Sequence, residues 1–250
     1  LLLLHPETAQ KLPIPPQSDL AARSVADEVM DQPGLDPVEH LRALRGLARL
    51  NRISGSARSI WRALAGFATT KRSPLRILDL ASGGGDLLLN LGRRAIRRGM
   101  EFDMLGVDFS PQAVEISRKA AQRANLSARF EVLNALEDSL PQGFDVVMTS
   151  LFLHHLSAEQ AGRLLAKMAA AANKMVLVSD LVRGRWNLGL VALGARLVTT
   201  SRVVWTDASL SVRAAFTPME LQKLAEAAGL QGAVITKQFP CRMLMQWSKP

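Results

Sequence analysis

Apolar and polar residues change rhythm once along this chain. From Leu75 onward, short apolar runs alternate with longer stretches of helical period. The runs predict strands over Arg76–Leu80, Phe102–Val107, Ala128–Leu133, Phe144–Thr149, Lys174–Val178, Gly232–Thr236 and Met243–Trp247. Helices are expected between them, over Asp86–Arg98, Pro111–Ala124, Ala158–Ala172 and Thr217–Ala228. Strand–helix alternation implies an α/β fold: a doubly wound, mostly parallel, seven-stranded sheet covered on both faces, with right-handed crossovers. The last two strands are joined by too short a link for a crossover, so they are expected to form an antiparallel C-terminal hairpin.

Upstream the pattern is helical only. Ser18–Met30, Asp36–Arg52 and Arg58–Phe67 are predicted helices, and Asp36-Pro37 is a capping side chain followed by a first-turn proline. In the second of these, Leu41, Leu44 and Ala48 share a face beside a stripe of Arg42, Arg45, Arg49 and Arg52. That stripe is either a solvated face or a cap presenting arginines to an anion. Lys71–Pro74 breaks the pattern. Residues 1–74 are therefore expected to be an extended, proline-stiffened leader and an N-terminal helical cap, and residues 75–250 the main domain. Residues 183–213 interrupt the alternation as a helical insertion, with Trp186, Trp205, an apolar run from Leu188 to Val198, five arginines and one aspartate.

Composition narrows this little. The 250 residues are 48% hydrophobic and 21% charged, as in ordinary globular proteins. Nothing approaches the run of about 18 apolar residues that a membrane helix needs. The lone Cys241 excludes a disulfide framework and leans towards a cytoplasmic setting. Leu1–Leu4 lacks the basic lead-in of an export signal, and the absence of Met suggests a start further upstream. A net charge of +9 points to an anionic partner without choosing among nucleic acid, a membrane surface and an acidic metabolite.

The chemistry sits at strand ends. Ile77-Leu78-Asp79-Leu80-Ala81-Ser82-Gly83-Gly84-Gly85-Asp86 is an apolar strand, a small-residue turn and a helix start. Glycine there lets backbone approach a ligand closely. Leu105-Gly106-Val107-Asp108-Phe109-Ser110 ends a second strand in an acid, at the spacing that suits ribose hydroxyls. Asp79 and Asp86 flank the turn and would repel a pyrophosphate, which disfavours a nicotinamide dehydrogenase. No Lys-Ser or Lys-Thr follows the glycines, which disfavours a phosphate loop. A cationic nucleoside with a free amino group suits two carboxylates better.

These motifs resemble the class I S-adenosylmethionine-dependent methyltransferases, whose sheet is Rossmann-like. Ala81, in place of the first motif glycine, resembles the ubiquinone/menaquinone-biosynthesis branch. The resemblance implies S-adenosyl-L-methionine as cofactor, with Asp79 at its methionine amino end and Asp108 on its ribose. It extends cofactor binding to Ala81, Ser82, Gly83, Gly85, Phe109, Asn134, Ala135 and Ser150; Asn134 replaces the family's usual Asp facing adenine. Leu153-His154-His155-Leu156 resembles the small-molecule methyltransferases of the class rather than the nucleic-acid enzymes, and makes His154 or His155 the candidate catalytic base. No metal constellation stands out, so metal-independent transfer is expected. Ser211–Pro218 and Phe239–Arg242 resemble methyltransferases that imply a phenolic lipid or polyketide acceptor.

The insertion would then offer Trp186 and Trp205 to an apolar or aromatic small-molecule acceptor. Its arginines would meet an anionic head group or contact an anionic membrane peripherally. An RNA or DNA methyltransferase and a non-catalytic module on the same fold remain as alternatives. Neither the acceptor atom nor the oligomeric state is written in the sequence.

Overall fold

The computed structural model describes residues 20–26, 28–29, 36, 38–39, 42–43, 46, 49, 55–68 and 74–250. Its elements in chain order are α1 (Ser56–Ala68), β1 (Leu75–Leu80), α2 (Asp86–Arg97), β2 (Phe102–Asp108), α3 (Pro111–Arg123), β3 (Ala128–Val132) and β4 (Phe144–Ser150). A single 3₁₀ turn (Leu153–His155) follows. Then come α4 (Ala158–Ala171), β5 (Ala172–Leu181), α5 (Arg185–Val198), α6 (Arg202–Ala214), α7 (Pro218–Ala227), β6 (Val234–Gln238) and β7 (Arg242–Ser248).

The seven strands form one sheet in the order β3-β2-β1-β4-β5-β7-β6. β1 pairs in parallel with both β2 and β4. β7 is antiparallel to both β5 and β6, which makes the expected C-terminal hairpin. Alternation along β1 sends Leu78 and Leu80 to one core, shared with Leu164, Leu165 and Met168 of α4. It sends Leu75 and Ile77 to the other, under Ile60 and Leu64 of α1 and Leu88 and Leu91 of α2. The chain reverses its winding between β1 and β4, and this leaves a crevice at the carboxyl ends of those strands.

Two expectations need correction. Residues 20–26 form a turn, a bend and irregular backbone rather than the start of a helix over 18–30. Their polar groups are satisfied by tertiary partners instead: Ser24 N–H donates to Arg213 O at 3.3 Å, and Arg183 donates to the carbonyls of Leu20 and Ala21. The fifth strand is longer than Lys174–Val178 and runs on through Asp180. The helix after Asp36 is present wherever it is described, and the Asp36 carboxylate accepts from the N–H groups of Val38 and Glu39. Leu41, Leu44, Arg45, Ala48 and Arg52 lie outside the described residues.

The insertion is a helical hairpin with a small core of its own. Ala195 and Val191 of α5 pack against Val203, Val204 and Ala208 of α6, with Val29 and Ala43 from upstream. A Cβ on Gly46 would lie 2.7 Å from the Thr199 hydroxyl, so the upstream helix sits hard against the end of α5.

Candidate active site

The turn after β1 is drawn tight by its neighbour. Gly83 N–H donates to Asp108 Oδ2 at 2.8 Å, Ser82 N–H donates to Val107 O, and Ser110 N–H donates to Asp108 Oδ1. Gly85, at φ +77°, begins α2 without a side-chain cap, and a Cβ there would meet the Phe130 ring at 2.8 Å. Gly106 is closed by the same ring, at 2.6 Å. Gly83, by contrast, has nothing within 4 Å of its notional Cβ, so the outer side of the turn is open. Ala81 takes a left-handed φ of 53°, a conformation glycine would adopt more cheaply.

Asp79 and Asp108 are both buried, on adjacent strands. Burial, and then the facing Asp108 carboxylate, push the Asp79 carboxyl well above the usual carboxylate range. A cation beside it would reverse the second effect and repay part of the first. The Ser82 hydroxyl is buried with no hydrogen-bond partner. An orphaned donor, a carboxyl calling for a cation and a turn open on its outer side fit the ribose and the amino-bearing sulfonium tail of S-adenosylmethionine. Asp79, Ser82, Gly83 and Asp108 would hold it.

The remaining expected cofactor residues lie on neighbouring segments. Phe109 follows Asp108 and is 71% exposed, leaving its ring free to wall a ligand. Asn134 is partly spent on its own turn: its Oδ1 accepts from Leu136 N–H at 3.0 Å. Ala135 is buried, and its carbonyl accepts from Lys167 Nζ. Ser150 ends β4, opposite Ser179 of β5.

The two histidines separate sharply. His154 is 4% exposed; His155 is exposed and stacks on it with ring centroids 4.2 Å apart. His154 Nδ1 lies 2.7 Å from Asp180 Oδ1, and its backbone N–H donates to Oδ2 of the same carboxylate. Burial alone would raise the Asp180 carboxyl. The charge and hydrogen bond of His154, the Leu181 N–H and the Arg242 guanidinium outweigh it and hold the group below its ordinary value. An ionised Asp180 fixes the proton on Nδ1 and leaves Nε2 as an acceptor. β5 lies two strands from β1, and Asp180 falls three residues beyond Leu177, the β5 residue level with Asp79 across Met148, which puts its side chain on the opposite face of the sheet.

Three functional candidates escaped the sequence. Asp180 ends β5 much as Asp79 and Asp108 end their strands, and the same rule would have found it had the strand been drawn to full length. Arg23 donates to Ala214 O, His154 O and Leu156 O and covers the Phe216 ring at 3.6 Å, which ties residues 20–26 over the histidine turn. Glu28 accepts from the Ser211 hydroxyl, and its carboxylate lies with the ring nitrogens of His154 and His155 inside a 4.8 Å cluster that could hold a metal ion. The sequence gives no hint of this grouping, because Glu28 is far from both histidines in the chain.

The insertion also departs from expectation. Arg183 is not offered to a ligand; its side chain is 2% exposed and forked onto Glu220 at 2.6 and 2.9 Å. Trp186 is 87% exposed, on the side of α5 opposite Ala195. Trp205 is half-buried and donates to Thr199 O. It is α6 that packs against the histidine turn.

The sheet order, the antiparallel C-terminal hairpin and the flanking helices are those of the Rossmann-like class I methyltransferase fold. Residues 77–174 match the family described as "Methyltransferase domain". The chain is 36% identical over 132 residues to the demethylmenaquinone methyltransferase of Thermus thermophilus, covering 52% of this chain and 58% of that relative. The chain thus matches less than two thirds of that relative's length. Among solved structures it resembles magnesium protoporphyrin IX methyltransferase from Synechocystis PCC 6803 with bound SAH, at TM-score 0.57 and 15% identity over 88% of this chain and 91% of that one. It also resembles the plantazolicin methyltransferase BpumL in complex with a monoazolic desmethylPZN analog and SAH, at TM-score 0.64 and 16% identity over 84% and 89%.

Proposed function

We propose that this protein methylates an oxygen or carbon of an apolar or aromatic small molecule, with His154 as the base. The observation that carries the reading is the buried Asp180–His154 pair at the carboxyl end of β5, on the same carboxyl rim of the sheet as the β1 and β2 ends that carry Asp79 and Asp108. Bound S-adenosylmethionine supplies an electrophilic methyl group on sulfur. The chain's task is to align the acceptor, exclude water and take one proton. His154 Nε2 would take the O–H or acidic C–H proton that the acceptor gives up as the methyl group leaves sulfur for it, the electron pair of the broken S–CH₃ bond staying on sulfur. Asp180 stabilises the resulting imidazolium and keeps the ring in the needed tautomer. Residues 20–26 and α6 close the histidine turn from outside, which keeps the transferred proton from bulk water.

The similarity to an enzyme named for demethylmenaquinone favours a ring-bearing, apolar acceptor. A nucleic-acid acceptor has less support, since the described arginine clusters lie on the insertion with the upstream helix (Arg42, Arg49, Arg196) and on the outer side of α2 (Arg93, Arg94, Arg97, Arg98), and not at the histidine turn. The test is a screen of phenols, hydroquinones and aromatic polyketides with S-adenosylmethionine, read by release of S-adenosylhomocysteine. Turnover that needs His154 supports the proposal. Tight cofactor binding with turnover only on RNA would overturn it.

A further inference from the structure

We infer that the outer face of α5 docks the protein on an anionic lipid bilayer. Trp186, Leu190, Leu193 and Leu197 are 87, 47, 56 and 77% exposed. At 3.6 residues per turn these four positions fall within about 60° of arc, on one stripe. The opposite side of the helix is the one packed on α6 through Ala195 and Val191. Among the described residues the stripe is a second apolar face, on the side of α5 opposite the one that packs on α6. Scattered exposed leucines are ordinary, but a continuous row ending in a tryptophan is not.

The charges beside the stripe select the occupant. The α5 sequence RWNLGLVALGARLV contains two arginines and no acid. At its carboxyl end a cleft of about 360 Å³ is lined by Arg42, Arg49 and Arg196 together with Leu197 and Thr200. Arg42 also pairs with Glu39, and Arg196 bonds to Ala192 O and lies 5.7 Å from the centre of the Trp205 ring. Neither Arg49 nor Arg196 has an acidic partner among the described residues. An apolar row flanked by unneutralised arginines matches an acyl boundary beneath phosphate head groups. A second copy seated on the same face would bring arginine against arginine. No described helix is long and apolar enough to cross a membrane, and α5, at 14 residues, would lie in the interface plane. Tryptophan is the side chain most suited to that depth. The face is read from α5 and its neighbours alone and stands whichever acceptor the enzyme uses.

The experiment is vesicle flotation of the full chain, with phosphatidylglycerol–phosphatidylcholine vesicles and with phosphatidylcholine vesicles. Binding to the anionic vesicles that weakens with added salt is expected, with a blue shift in tryptophan fluorescence that Trp186→Phe removes. The double variant Leu193→Glu, Leu197→Glu replaces two exposed side chains and should lower vesicle binding at least tenfold, while calorimetric S-adenosylmethionine affinity stays unchanged. Failure to float with anionic vesicles overturns the inference. So does a dimer in solution that the double variant dissolves, which would make the face a protein interface. RNA retention at this face without vesicle binding overturns it as well.

Discussion

His154 and Asp180 form a buried imidazole–carboxylate pair, 2.7 Å apart, in which both carboxylate oxygens are engaged by the same residue: Oδ1 by the ring and Oδ2 by the backbone N–H. This double hold fixes ring and turn together. His154→Ala should lower kcat by about 10²–10⁴-fold, the usual range for losing a general base, with cofactor affinity unchanged. Asp180→Asn should do most of the same damage, because the amide no longer selects the Nδ1–H tautomer. Two variants turning over at wild-type rates would remove the base from the mechanism.

Asp79 should prove a functional residue that costs stability. Its carboxyl is raised by burial and then by Asp108, so its proton is held more tightly in the folded chain than in the unfolded one. The stability this contributes is full below the unfolded value near about 4 and is lost as pH rises through the folded value. Asp79→Asn should therefore melt higher than wild type at neutral pH, by an unpaired-charge cost on the order of 1–3 kcal/mol, and the gap should close towards pH 4. The same variant should bind S-adenosylmethionine at least tenfold more weakly, about 1.4 kcal/mol. A variant that is neither more stable nor weaker in binding would mean that Asp79 does not face the cofactor's amino group.

The strand ends carried most of what could be read from residues alone. Alternation located every strand, and Asp79 and Asp108 were visible because each closes an apolar run in front of a small-residue turn. Asp180 was lost because Ser179-Asp180 looks polar enough to end a strand, yet both side chains are buried, one by the histidine and the other within the sheet edge. Residues 20–26 carry no local sign of their partners, which lie on α6, the histidine turn and β5. On α5 the apolar period was legible but its inward side was not. The close approach of α6 selects small Ala195 for the interior and leaves Trp186 and three leucines outside, the reverse of what side-chain size suggests.

The nucleotide turn makes opposite demands at two positions. Gly85 sits at φ +77° with the Phe130 ring and Ser117 Cβ within 2.9 Å of a notional Cβ. Gly85→Ala should cost about 1–2 kcal/mol in left-handed backbone and about 1–3 kcal/mol in overpacking. Ala81 already bears a left-handed φ of 53° with a side chain. Ala81→Gly should relieve that strain, for a net gain of about 0.5–1 kcal/mol after the looser unfolded chain is counted. Urea denaturation of both variants measures this directly. A destabilised Ala81→Gly would show that the methyl group packs usefully against the cofactor side of the turn.

Arg183 anchors residues 20–26, and through them the site. Its guanidinium binds Glu220 with two hydrogen bonds and donates to the carbonyls of Leu20, Ala21 and Ala215. Arg23 then reaches from that segment to the carbonyls of His154 and Leu156. Arg183→Met keeps the length of the stem and removes every donor. It should destabilise the fold by about 2–3 kcal/mol, less than the full loss of a buried pair because Glu220 is 39% exposed and rehydrates. The sharper consequence is local. With Leu20 and Ala21 released, Arg23 should become a trypsin site in the native protein, and kcat should fall as the histidine turn loses its outer support. Cofactor affinity, set on β1 and β2, should stay at its wild-type value. If trypsin spares Arg23 in the variant and kcat holds, the upstream segment is seated by Val29 on Asp207 and Ser24 on Arg213, and Arg183 contributes only to the β5–α7 junction.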